Sequence, residues 1–148
     1  MSLESQLRAG GVVRFHALPE IPGQTIAKHT WRLVRILRSV WPEVPDHVLR
    51  HAECHDLDEL FIGDIPAPVK REIGEDALER LFEETADYSK DIIQDATGCQ
   101  CERWEKEIVS FCDRMELVIY CLSCSPSPIT SRVVQRGLAY AKEHLDDV

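Results

Sequence analysis

Ala52-Glu53-Cys54-His55-Asp56-Leu57-Asp58-Glu59 is the stretch from which the rest of the chain is read. The adjacent His55-Asp56 pair sets an imidazole beside a carboxylate on one helical turn, where both reach a single divalent ion. Glu59 follows at i+4 from His55 and i+3 from Asp56 and, on a helix, projects from nearly the same face. One more histidine upstream and one more aspartate downstream complete a four-ligand set, and His29 and Asp113 are the candidates. Two imidazoles and two carboxylates suit Mn, Fe, Co, Ni or Zn better than Ca, which prefers oxygen alone. Open positions on such an ion admit water and a phosphate oxygen, and the ion polarises the phosphate and lowers the pKa of the water.

With 148 residues the chain is expected to form a single domain, 1–148, with a hydrophobic core. Its net charge of −9 argues against a nucleic-acid polymer as partner, because binding a polyanionic backbone needs clustered Lys and Arg. A nucleotide substrate remains compatible, since an ion and a few local cations supply positive charge. No apolar run reaches the ~18 residues of a membrane span, and Met1 to Gly10 lacks a signal-peptide core. The expected location is therefore the cytoplasm, with the six cysteines as free thiols.

The hydrophobic periodicity is helical almost throughout and predicts an all-α bundle. A short helix over Ser2 to Ala9 stops at Gly10-Gly11, and Arg14 to Gly23 reads as an ordered loop. Thr25 caps a helix with Ile26, Trp31, Leu33, Val34, Ile36 and Leu37 on its apolar faces, ending at Trp41-Pro42. Asp46 is the expected N-cap of a helix reaching about Asp58. After the Gly63 to Pro68 turn and a short helix ending at Gly74, long helices are expected over Asp76 to Ala96 and Cys101 to Leu122. Ser125-Pro126-Ser127-Pro128 breaks the chain before a last helix, Ile129 to Leu145. Four ligands drawn from three of these helices converge in a bundle core.

The string His55-Asp56-Leu57-Asp58-Glu59-Leu60-Phe61-Ile62-Gly63-Asp64-Ile65-Pro66-Ala67-Pro68-Val69-Lys70 resembles one branch of the HD-domain metal-dependent phosphohydrolases. So do Arg14-Phe15-His16 and Gln24-Thr25-Ile26-Ala27-Lys28-His29-Thr30-Trp31-Arg32. That branch holds the bacterial 5′-deoxynucleotidases and short phage-encoded relatives, dATP triphosphohydrolases among them. The resemblance implies His29, His55, Asp56 and Asp113 as metal ligands and Glu59 as the catalytic acidic residue. It implies Arg14, Phe15, Pro68 and Lys70 as substrate-binding residues, with Arg14 on phosphate or sugar, Lys70 on phosphate and Phe15 near sugar or base. Phe15 departs from the family's usual larger ring, and Lys28 from a usual acidic residue. The implied cofactor is a divalent ion from Mn, Co, Zn, Fe, Ni and Mg, the partner a small-molecule deoxynucleotide, and the assembly a homo-oligomer, dimer or hexamer. The helix over Asp76 to Ala96 is a candidate interface.

The expected activity is a phage-type deoxynucleoside triphosphohydrolase, releasing deoxynucleoside and triphosphate. One alternative is a 5′-deoxynucleotidase acting on monophosphates; another is a non-catalytic helical module stapled by metal. His51, at i−4 from His55, has the spacing of a two-histidine site but falls outside the family pattern and is read as a satisfied or surface residue. His16, His47 and His144 carry no motif. Cys99-x-Cys101 and Cys121-x-x-Cys124 have zinc-like spacings but lie about 30 Å apart along one predicted helix, too far for one site.

Overall fold

A computed structural model describes residues 3–16, 18, 20–57, 59–65, 69, 72–74, 76, 77, 80, 81 and 101–144. Among the described residues, helices follow in chain order as α1 (Leu3–Ala9), α2 (Ile26–Val40), α3 (Asp46–Cys54), α4 (Glu59–Ile62), α5 (Arg103–Leu122) and α6 (Pro128–His144). Of the helix expected over Asp76 to Ala96, only 76, 77, 80 and 81 are described, and Pro66, Ala67, Pro68 and Lys70 lie outside the described residues.

The stretch read as a loop from Arg14 to Gly23 is bounded by a small ladder. Strands β1 (Val13–Arg14) and β2 (Gln24–Thr25) pair antiparallel, Val13 with Thr25 and Arg14 with Gln24. Two residues per strand are too few to leave an alternating pattern, so sequence periodicity does not reveal it. Gly23 is required there, because a Cβ at that position would sit 2.7 Å from the Val13 Cγ1 methyl.

Thr25 caps α2 as expected, its Oγ1 accepting the Lys28 N–H at 3.3 Å. Ile26, His29, Leu33 and Leu37 form the buried stripe of α2, so His29 faces inward because it shares a helical face with two core leucines. Trp31, grouped with the apolar positions by composition, lies off this stripe and is 66% exposed. The helix ends at Trp41, whose N–H bonds Leu37 O, just before Pro42.

Helix α3 departs from expectation at both ends. Pro45, in extended conformation, is the N-cap, and Asp46 is the first helical residue. The helix closes at Cys54 rather than near Asp58. His55 to Leu57 continue as tight turns, with Leu57 N–H on Cys54 O and Glu59 N–H on Asp56 O, before α4 begins at Glu59. Gly63, at φ +72°, ends α4 in the left-handed conformation that a glycine adopts without steric cost.

Helix α5 opens with a reciprocal capping box between Glu102 and Glu105. It packs most extensively on α6 and then on α2. One core cluster joins α2, α3 and α5 through Leu33, Leu37, Val48, Leu49, Ala52, Cys101, Val109 and Cys112. A second gathers Ile21, Tyr120 and Cys121 with Phe15, Ile129 and Val133. Along α5, Asp113 and Glu116 fall between the two clusters, and this polar layer holds the site. Among the described residues no helix is long and apolar enough to cross a membrane.

The α5–α6 contact is close enough to be tested. A Cβ on Gly137 of α6 would overlap the Val118 side chain of α5. Gly137→Ala gains helix propensity of up to ~1 kcal/mol but forces apart the best-packed helix pair, so a net loss of about 1–2 kcal/mol is expected in urea melts. Val118→Ala in the same chain is expected to restore part of it; additive losses would mean that the close approach is not limiting.

Candidate metal and substrate site

The turn after α3, the first turn of α2 and the middle of α5 deliver four side chains to one region. His29 Nε2 lies 3.1 Å from Asp113 Oδ1, 3.4 Å from Asp56 Oδ2 and 3.4 Å from His55 Nε2. His55 Nε2 lies 3.3 Å from Asp56 Oδ2 and 4.0 Å from Asp113 Oδ1. The structure therefore brings together all four residues singled out as ligands.

The far nitrogen of each ring decides what the near nitrogen presents. His55 Nδ1 is 2.8 Å from the Ala52 carbonyl oxygen, which only accepts, so Nδ1 carries the proton. His29 Nδ1 is 2.9 Å from Glu116 Oε2, and it donates to that carboxylate. Both Nε2 lone pairs then point inward. Asp56 Oδ2 and Asp113 Oδ1 are buried and accept no hydrogen bond when the imidazoles carry their protons on Nδ1. Ligand atoms of His29, His55 and Asp113 thus lie within 4.8 Å of one another, with Asp56 Oδ2 beside the two imidazoles, an arrangement that calls for a cation. Bond lengths of ~2.0–2.2 Å place the ligands of such an ion roughly 3.0–3.5 Å apart, close to the separations seen. The residues fit a divalent metal.

Glu116 carries this arrangement and was not among the residues singled out. It is fully buried, accepts from His29 and from Gln24 Nε2 at 2.9 Å, and pairs with Arg32 Nε. Burial pushes its carboxyl upward, but the donors from His29 and Gln24, with the Arg32 charge, hold it below the usual carboxylate range. An acidic residue at i+3 from Asp113 was the available signal, since it lies on the same face of α5.

Arg14 closes one side. Its side chain is mostly buried, Nη2 is 3.9 Å from Asp113 Oδ1, and Nε and Nη1 are buried without hydrogen-bond partners. A guanidinium with unspent donors beside a cation site is suited to a bidentate oxyanion. Phe15 follows at φ +64°, with its N–H on Asp64 Oδ2 at 2.7 Å and its ring stacked on Tyr120 at 5.8 Å. Asp64 of the Gly63-Asp64-Ile65-Pro66 string thus holds the β1 loop in place. Glu59 is buried at the start of α4, directly after the turn bearing His55 and Asp56.

Pro68 and Lys70 fall outside the described residues. Arg32 is engaged by Glu116, and both it and Lys28 lie over the Tyr120 ring. His51 is half-buried on α3, outside the donor group.

A family model described as HD domain matches residues 3–120. A solved structure described as cyanophage S-2L HD phosphohydrolase (DatZ) bound to dA and one catalytic Zn2+ ion shares the fold with a TM-score of 0.73. It is 23% identical, and the match covers 99% of this chain and 86% of that one. No curated protein sequence matches.

In the metal-free protein His29 titrates above the ordinary imidazole value. Burial pushes it down, but contacts with Asp113 and Glu116 outweigh burial. A cation must displace that proton, so metal affinity is expected to fall as pH drops, beginning above the ordinary value of about 6.5. Glu116→Gln removes one of the groups that raise it. The variant is expected to bind Zn2+ or Mn2+ roughly 10–100-fold more weakly, with its pH dependence displaced downward. Competition against a chromophoric chelator across pH measures both; unchanged affinity in Glu116→Gln would contradict the role given to that carboxylate.

Proposed function

The chain belongs to the HD-domain family, and from that premise we propose that it is a metal-dependent phosphohydrolase of deoxynucleotides. The observation that carries the reading is the pairing of four inward-facing acceptors with the unspent guanidinium of Arg14. His29, His55, Asp56 and Asp113 hold the divalent ion. When bound, the ion withdraws charge from a phosphate oxygen and lowers the pKa of water beside it.

The chain's own residues supply the rest. Arg14 donates to the phosphate and turns it toward the donor cluster. Glu59 accepts a proton from the attacking water as its oxygen bonds phosphorus, and the P–O5′ bond breaks, O5′ taking up a proton from solvent as the deoxynucleoside leaves. Phe15, fixed by Asp64 and Tyr120, provides an apolar ring for the sugar or base. The dA in the similar phage protein supports a deoxynucleoside-sized ligand here.

Triphosphates are the preferred substrate, attacked at the α-phosphorus with tripolyphosphate as the second product; Lys70 is assigned to the distal phosphates. One observation favours a second reading. Among the described residues Arg14 is the cation placed at the donor cluster with donors to spare, Arg32 being engaged by Glu116, and a monophosphate needs no more. In that reading the protein is a 5′-deoxynucleotidase.

Two experiments decide. Asp113→Ala is expected to lose both metal content and activity, whereas Glu59→Ala keeps its metal and substrate affinity and loses turnover by at least ~10². Full turnover in Glu59→Ala would remove that residue from the chemistry, and an inactive wild type with bound metal would favour a structural ion. A product assay on the four deoxynucleoside mono- and triphosphates, with Mn, Co, Zn and Mg, fixes the substrate. Tripolyphosphate, dATP being the first substrate to test, is the expected product; orthophosphate from monophosphates alone would install the nucleotidase reading.

A further inference from the structure

A second group of metal-binding side chains lies away from the first. His47, in the first turn of α3, meets Cys101 and Glu105 at the start of α5, and one donor atom from each lies within 4.8 Å of the others. Glu105 precedes Asp113 by eight residues on one helix, about 12 Å along its axis, so the two groups share no residue and no ligand atom. We propose that His47, Cys101 and Glu105 form a second divalent-metal site, selective for Zn2+ or a similar borderline ion, that clips α3 to α5.

The donors are held in place by structure that does not depend on an ion. Glu105 is 5% exposed, and its Oε2 is fixed at 2.8 Å by the Glu102 backbone N–H of the capping box. Its Oε1 lies 3.0 Å from His47 Nε2. The Cys101 thiol is buried against the first turn of α3, with Sγ 3.8 Å from the His47 carbonyl oxygen. Tetrahedral Zn2+ with Zn–S of ~2.3 Å and Zn–N or Zn–O of ~2.0–2.1 Å sets its ligands roughly 3.3–3.6 Å apart. The imidazole and carboxylate need to part by only a few tenths of an ångström, and Sγ lies within 4.8 Å of both.

Ligand chemistry narrows the ion. A thiolate beside an imidazole and one carboxylate disfavours Mg2+ and Ca2+, which take oxygen, and favours Zn2+ or Co2+. His47 is 42% exposed at its side chain, which leaves an approach from solvent and room for water as fourth ligand. Cys101 therefore groups with His47 of α3 and with Glu105 four residues on, not with the Cys121-x-x-Cys124 motif at the far end of α5. A bound ion ties the first turn of α3 to the point where α5 begins, next to the Trp41–Trp104 ring contact.

The sulfur provides a signature that the first site, with no cysteine among its donors, lacks. Full-length protein stripped with a chelator is titrated with Co2+ and followed in the near-ultraviolet, where thiolate-to-cobalt charge transfer absorbs. The expected result is two equivalents per chain and a charge-transfer band. Cys101→Ser abolishes the band and one equivalent while circular dichroism and hydrolysis persist. His47→Gln, at a half-exposed position that the fold tolerates, weakens the same equivalent by at least roughly tenfold. Asp113→Ala keeps the band, so failure of the first site is read separately. A single equivalent without a band would overturn the proposal and leave a His47–Glu105 ion pair beside a buried thiol. A band that survives Cys101→Ser would overturn it in favour of other cysteines.

Discussion

The hydrogen bond from His29 Nδ1 to the buried Glu116 carboxylate is the interaction on which the site depends. It fixes the tautomer, directs the Nε2 lone pair, and locks the ring against α5. The cost of burying a carboxylate is met by three donors, from His29, Gln24 and Arg32. Each comes from β2 or α2, so the same contacts bind α2 across α5 at the level of the site. Catalytic geometry and helix packing are consequently one construction here: the donor cluster cannot be loosened without loosening the bundle at its middle.

The site's main residues were legible because their chemistry is compressed into short strings. His55, Asp56 and Glu59 stand within five residues, and His29 and Asp113 lie on helices whose periodicity is plain. Helices α2, α5 and α6 were legible for the same reason, with Thr25 marking the first of them. What was hidden has physical causes. Glu116 lies in an amphipathic helix where a glutamate ordinarily marks the wet face, and only its tertiary partners show that it faces inward. The β1–β2 ladder is too short to generate a period. The tight turns from His55 to Leu57 interrupt a helical pattern without any glycine or proline to announce them, so Glu59 reaches its place by a kinked path instead of one continuous helix. Trp31 shows the reverse error, a large apolar residue on a surface helix that composition assigns to the core.

Acidity of the whole chain and cation-seeking by its centre are separate matters. A net charge of −9 disfavours polyanions at the surface. Within the site, the acceptors are concentrated at one point and Arg14 is placed beside them, so an anionic ligand meets a local field unlike the average one.

Phe15 has a consequence of another kind. A phenylalanine at φ +64° holds a conformation that costs an L-residue on the order of 1 kcal/mol or more, and its N–H rests on Asp64, 49 residues away. Position 64 is therefore not free to drift: a change there loses the bond and leaves the strain at position 15, next to Arg14, unopposed. A glycine at position 15 would relieve the strain and keep the N–H on Asp64, but it would also remove the ring that packs on Tyr120. The loop is thus mutationally narrow for a reason that lies in its backbone as well as in the ring it carries.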